Sequence, residues 1–106
     1  MKTEERGMKY DEGKPRMDLV LHGFPKVLTT LGTILGFGAK KYKADSWRHV
    51  PHGVARYEAA ALRHLLAHAS GEKLDPESGL PHICHSICNL MFVMELMEEG
   101  KEYDPE

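Results

Sequence analysis

The chain predicts an all-α fold on three observations. Apolar residues recur at helical spacing in three segments, no segment alternates with period 2, and a glycine or polar turn closes each helical segment. The expected architecture is a small helical domain with three main helices and an extended N-terminal arm, assembled as an oligomeric helical bundle. One domain covers residues 1–106, with a polar arm over 1–20 and helices over 24–36, 54–70 and 79–99.

The arm is polar and rich in Gly and Lys, and Gly13-Lys14-Pro15-Arg16 reads as a turn. Pro25 suits the first turn of a helix, and Val27, Leu28, Leu31, Ile34 and Leu35 give that helix one apolar stripe. Gly36 and Gly38 are expected to end it, and Gly32 inside it to mark a close backbone contact. A basic, aromatic connection follows, Lys40-Lys41-Tyr42-Lys43-Ala44-Asp45-Ser46-Trp47-Arg48. The second helix is rich in Ala and Leu and is closed by Gly71. Asp75-Pro76-Glu77-Ser78-Gly79 turns the chain into the third helix, with Ser78 as its cap and Pro81 in its first turn. There Ile83, Ile87, Leu90, Met91, Met94 and Met97 form an apolar stripe that reads as core.

Composition removes several function classes. With 42% hydrophobic and 28% charged residues, the chain matches neither disordered nor membrane-spanning sequences. No apolar run reaches the ~20 residues a bilayer requires. The segment MKTEERGMKYDEGK has no apolar core of a signal peptide, so the expected compartment is the cytoplasm. A formal charge of −2 gives no basic footprint for a nucleic acid polymer. Cys84 and Cys88, four apart on one helix, read as buried thiols rather than a disulfide.

Seven histidines stand out. His82 and His85 lie three apart and Asn89 four further on, so all three project from one face of the third helix. Arg63 and His64 stand on the second helix, with His68 one turn on, and Glu72, Asp75 and Glu77 lie in the connection. An antiparallel helix pair joined by that turn gathers His64, Glu72, Asp75, Glu77, His82 and His85 as candidate metal ligands. Imidazole with carboxylate suits Mn, Fe, Co, Ni or Zn, whereas carboxylate and water alone suit Mg. His22, His49 and His52 are weaker candidates. A second, electropositive group comprises Lys14, Arg16, Lys40, Lys41 and Arg63, with Tyr42 and Trp47 near them in sequence. Such a set can neutralise a polyphosphate and stack on a base, although Trp47 alone is more often a packing residue. Gly13-Lys14-Pro15-Arg16 lacks the glycine spacing of a P-loop.

Several segments together resemble a small phage and bacterial family, the dATP/dGTP diphosphohydrolase domain. They are Tyr10-Asp11-x-Gly13-Lys14-Pro15-Arg16-x-Asp18-Leu19, Phe37-Gly38-Ala39-Lys40-Lys41-Tyr42, Arg56-Tyr57, Arg63-His64-Leu65 and the turn block Gly71-Glu72-x-x-Asp75-x-Glu77-Ser78-Gly79-x-x-His82-x-x-His85-x-x-x-Asn89. The resemblance spans roughly residues 8–95. It implies a metal-dependent pyrophosphohydrolase that converts a purine deoxynucleoside triphosphate to monophosphate and pyrophosphate, in the host cytoplasm if phage-encoded. It also implies kinship of role with the all-α pyrophosphatases of the MazG type, which work as oligomers. That type carries Glu-Glu-x-x-Glu before Glu-x-x-Asp. Here Glu98-Glu99-x-x-Glu102 follows Glu72-x-x-Asp75, and histidines stand where carboxylates are expected.

The resulting expectation assigns catalysis to Glu77, Asp75 and Arg63, with Glu77 accepting the proton of the attacking water. Substrate contacts fall to Lys14, Arg16, Lys40, Lys41, Tyr42, Trp47 and Asn89. The cofactor is a divalent metal, Mg or Mn foremost, with Co, Fe, Ni or Zn admitted by the histidines. The partners are the nucleoside triphosphate and further copies of the chain, with no nucleic acid polymer and no membrane. The alternative is a non-catalytic module that binds a nucleotide or metal and regulates a partner. A purely structural helical protein is a third reading.

Overall fold

Between His82 and Met94 the sequence carries no Lys, Arg, Asp or Glu, and this stretch becomes the helix on which the other elements rest. The computed structural model describes residues 9–106 and is all helical. Its elements are α1 (Met17–Gly23), α2 (Pro25–Lys41), a single 3₁₀ turn (Ser46–His49), α3 (Gly53–Ala69) and α4 (His82–Glu98). The only extended pairing among the described residues is an isolated antiparallel bridge between Leu74 and Pro81. No single helix among them is long and apolar enough to cross a membrane; α1 and α2 reach that composition only as a pair bent by 86°.

α3 and α4 form the closest pair, antiparallel across the turn that joins them. Ser86 on α4 donates to the backbone oxygen of Ala61 on α3 at 2.7 Å, a buried bond that fixes their register. Gly53 opens α3 where Leu96 approaches: a Cβ there would meet Leu96 Cδ1 at 3.1 Å. α2 crosses α4 on another side. Leu31 and Ile34 pack on Cys84 and Cys88, with Leu28, Leu80 and Phe92 at the edge. A second cluster joins Val54 with Val93 and Leu96, flanked by Trp47 and Tyr57. Phe92 links the two, stacked on Trp47 at 4.7 Å and tilted against Tyr57 at 4.9 Å. The Tyr57 hydroxyl donates to the Trp47 backbone oxygen at 3.0 Å, which ties the 3₁₀ turn to α3. Asp45 and His52, both in the left-handed region with φ of 62° and 56°, bracket that turn. Such backbone costs on the order of 1 kcal/mol each, and the Trp47–Phe92 packing offsets it. Cys84 and Cys88 are free buried thiols, as expected.

Four expectations change. The arm is not extended throughout, because Met17–Gly23 forms α1, while its first eight residues lie outside the described region. α2 does not stop at residue 36 but runs to Lys41, with the Tyr42 amide closing its last turn on Gly38 O at 2.8 Å. Glycine retains both backbone hydrogen-bonding groups, so two glycines weaken this turn without breaking it. No close contact is found at Gly32, whose missing Cβ faces open space. α4 begins at His82 with Pro81 before it, and Ser78 is not its cap. The Ser78 hydroxyl is instead engaged with Asp75 at 2.9 Å.

A polar cluster at the α3–α4 junction beside an open cleft

The turn between α3 and α4 folds back on itself. Asp75 N–H donates to Leu80 O at 2.8 Å and Gly79 N–H to Asp75 O at 2.7 Å, with Gly79 at a φ of 74° that suits a residue lacking Cβ. His82 N–H then donates to Lys73 O at 3.0 Å, which seats the first residue of α4 against the start of the turn.

This geometry converges the polar side chains. His64 from α3 lies with its ring 4.6 Å from that of His85, stacked at 13°, and 5.1 Å from that of His82. His64 Nδ1 and His82 Nδ1 are 2.8 Å apart, and the far nitrogen of His82, Nε2, lies 2.6 Å from Glu72 Oε1. A carboxylate only accepts, so His82 Nε2 carries the proton and donates to Glu72. In the neutral pair the His82 Nδ1 lone pair then accepts from His64 Nδ1–H. On the other side, the Ser78 hydroxyl lies 2.9 Å from Asp75 Oδ2 and 2.7 Å from His85 Nε2, and it accepts from Leu80 N–H at 3.2 Å. Its single proton goes to the ionised Asp75, so His85 Nε2–H donates to Ser78 Oγ.

Burial lowers the pKa of His64, and His85 beside it adds to this. Burial likewise lowers that of His85. Burial pushes the Asp75 carboxyl upward, but the two hydrogen bonds from Ser78 outweigh it and hold the group below its ordinary value. Uncharged imidazoles and an ionised carboxylate are the protonation states that bind metal. One ring nitrogen each from His64 and His82 and one carboxylate oxygen of Asp75 lie within 4.8 Å of one another. Glu72 stands behind His82, on the nitrogen facing away from His64, in the position that orients a metal-binding imidazole. The donor set therefore fits a divalent ion, and two imidazoles with one carboxylate favour Mn, Fe, Co, Ni or Zn over Mg.

Beside this cluster runs an open cleft of about 1900 Å³ between the C-terminal end of α2 and the 3₁₀ turn on one side and α3–α4 on the other. Of the residues singled out in the sequence, Lys41, Tyr42, Trp47, Arg63, His64, Asp75, Glu77, His85 and Asn89 line it. Lys41 is ion-paired with Glu77 across its mouth, and Tyr42 is exposed next to Lys41. Trp47 is occupied by Phe92 on one face, and Arg48 lies 4.4 Å from its ring. Asn89 donates to His85 O at 2.8 Å. Lys14, Arg16 and Lys40 do not line the cleft; Arg16 is paired with Asp18 at 2.9 Å. His68 is exposed in the last turn of α3.

Two contributors escaped the sequence reading. Ser78 holds Asp75, and the signal was the Asp-x-x-Ser spacing, which lets the Asp carboxylate accept from the backbone N–H and hydroxyl three residues on. Arg56 lies two helical turns before Arg63 and lines the same cleft.

Residues 4–106 match the profile of the family described as dATP/dGTP diphosphohydrolase, N-terminal. The chain belongs to this family. It is also similar to a dATP/dGTP diphosphohydrolase of Salmonella phage PMBT28, at 30% identity over 98 residues, or 92% of the chain. The match covers 32% of that relative, so the chain spans about a third of its length. No solved structure matches the chain significantly.

Proposed function

We propose that the chain is a metal-dependent purine deoxynucleoside triphosphate pyrophosphohydrolase, releasing the monophosphate and pyrophosphate. The observation that carries this reading is the convergence of His64, Asp75 and His82 beside a cleft lined by Arg56, Arg63 and Lys41. A divalent ion held by those three donors would supply Lewis-acid activation of water and charge on the phosphate oxygens.

The chain's own groups do the rest. Arg63 and Arg56 offset charge on the β- and γ-phosphates, and Tyr42 offers an exposed ring to the base. The triphosphate competes with Glu77 for Lys41, and Glu77, once released, accepts the proton of the attacking water. The water oxygen bonds to the α-phosphorus, the bridging Pα–O bond breaks, and its electron pair leaves with pyrophosphate. Ser78 keeps Asp75 ionised and oriented, and Glu72 does the same for His82. The chain acts in the cytoplasm, a phage host's where a phage encodes it, as a homo-oligomer.

Incubation with a panel of nucleotides under Mg, Mn, Co and Zn, with products separated by charge, tests this. Pyrophosphate release from dATP or dGTP, lost in both His82→Ala and Glu77→Ala, is expected. Nucleotide bound but left intact under every metal overturns catalysis in favour of a binding module.

A further inference from the structure

The chain turns back where α4 ends. Gly100, at a φ of 90°, reverses its direction, and Lys101 N–H closes on Leu96 O at 2.9 Å. The segment that follows, residues 101–106, carries Glu102, Asp104 and Glu106 against the single cation Lys101. Two contacts clip it to the stretch before α3. Arg48 of the 3₁₀ turn is ion-paired with Glu99, and His52 Nδ1 lies 3.0 Å from Asp104 O and 3.1 Å from Asp104 Oδ2. Around the second clip, Tyr103, Pro105 and Glu106 share a hollow of about 350 Å³ with Arg56, Ala59 and Arg63. His52, Arg56, Ala59 and Arg63, spaced 4, 3 and 4 apart, form one stripe of α3, so the segment follows a single side of that helix.

Arg56 and Arg63 also line the cleft, so their side chains stand between two spaces, the cleft and the hollow. Neither is ion-paired with a carboxylate among the described residues; Arg56 gives one N–H to Pro51 O at 3.3 Å. A guanidinium projects its donors in one planar fork, so turning it to a carboxylate in the hollow takes it from a phosphate in the cleft. We infer that the segment after α4 is a displaceable strap whose carboxylates compete with the substrate's phosphates for Arg56 and Arg63. This rests on the proposed function, which places the phosphates on these arginines. The strap is held weakly enough to yield. The side chains of His52 and Asp104 are 34 and 70% exposed, and a pair so open to water contributes little. A triphosphate brings several negative charges to the same two cations and displaces it.

The measurement is binding of inorganic tripolyphosphate and of dATP to the full chain by isothermal titration, without divalent metal so that no turnover enters. Asp104→Asn/Glu106→Gln is expected to bind both about threefold more tightly than the parent, with the thermal midpoint unchanged. Glu58→Gln, which removes a carboxylate of α3 outside cleft and hollow, is expected to match the parent. In an Arg63→Ala background the gain from the strap substitutions is expected to shrink, because they then free one arginine and not two. Unchanged or weaker binding by the strap variant overturns the strap. So does an equal gain from Glu58→Gln, or a gain undiminished without Arg63. The two readings fail separately. Weaker binding by Arg63→Ala, with no gain from the strap substitutions, leaves the phosphates on Arg63 and removes only the strap. Equal affinity of Arg63→Ala and parent removes that placement of the phosphates, and the strap with it.

Discussion

His82 spends its two ring nitrogens in opposite directions, one 2.6 Å from Glu72 Oε1 and the other 2.8 Å from His64 Nδ1. The carboxylate fixes which nitrogen of His82 carries the proton, and thereby keeps on the other the lone pair that accepts from His64 and that a metal ion would take in its place. Glu72→Gln can accept or donate, so that choice is lost. Metal affinity is expected to fall about 10–100-fold, measured by isothermal titration with Mn or Zn. Unchanged affinity would remove Glu72 from the site's support.

Ser78 is held by three partners, Asp75, His85 and the Leu80 amide. Ser78→Ala leaves the Leu80 amide and His85 Nε2 without it and leaves the Asp75 carboxylate with the Ser78 backbone N–H alone of the two bonds. Urea denaturation is expected to show a loss of about 1–2 kcal/mol, with a parallel loss of metal affinity. A variant as stable as the parent would mean that water replaces all three bonds.

Arg63 is exposed on α3 and lines the cleft, with no part in either core cluster. Arg63→Ala is therefore expected to keep the parent thermal midpoint while weakening nucleotide binding. A lost charge-assisted bond of about 1.5 kcal/mol corresponds to roughly tenfold in KM. Equal KM values for variant and parent would place the phosphates elsewhere.

Burial pushes the Cys88 thiol up from 9.0 to about 11, and the neighbouring Cys84 adds to this. Burial also raises Cys84 and Tyr57. The folded state thus holds protons that the unfolded chain releases. For Cys88 the stabilisation is complete below pH 9.0 and is lost as pH rises through about 11. Its size is about 3 kcal/mol. Equilibrium unfolding across this alkaline window should show stability falling with pH, and Cys88→Ala should flatten the slope.

The helical class, the span of α3 and the C-terminal end of α4 were legible because 3.6-residue periodicity is a property of sequence alone. The clustering of His64, Asp75 and His82 was legible for a related reason: an antiparallel hairpin with a known turn fixes which faces meet. Roles within the cluster were not. Glu72 and Asp75 are both carboxylates in one turn, and only the fold-back of that turn places one behind His82 and the other among the donors. The end of α2 was misread because glycine marks stops statistically, while a helix ends only where its hydrogen bonds cease to be made. The apolar stripe of α4 was expected to be core. Only the structure shows that one side of the helix finds no cover within the described residues.

The ion pair of Lys41 with Glu77 gives the cleft an internal counterion. Under the proposed function a triphosphate entering it would swap one anion for another at Lys41 and would not meet an unneutralised cation there. Ionic strength weakens the outgoing contact as well as the incoming one, so this lysine adds little to the salt sensitivity of nucleotide uptake. Under the proposed function Arg63, Arg56 and Lys43, which also line the cleft, would carry most of that sensitivity, and the same exchange would tie the release of the proposed base to the arrival of its substrate.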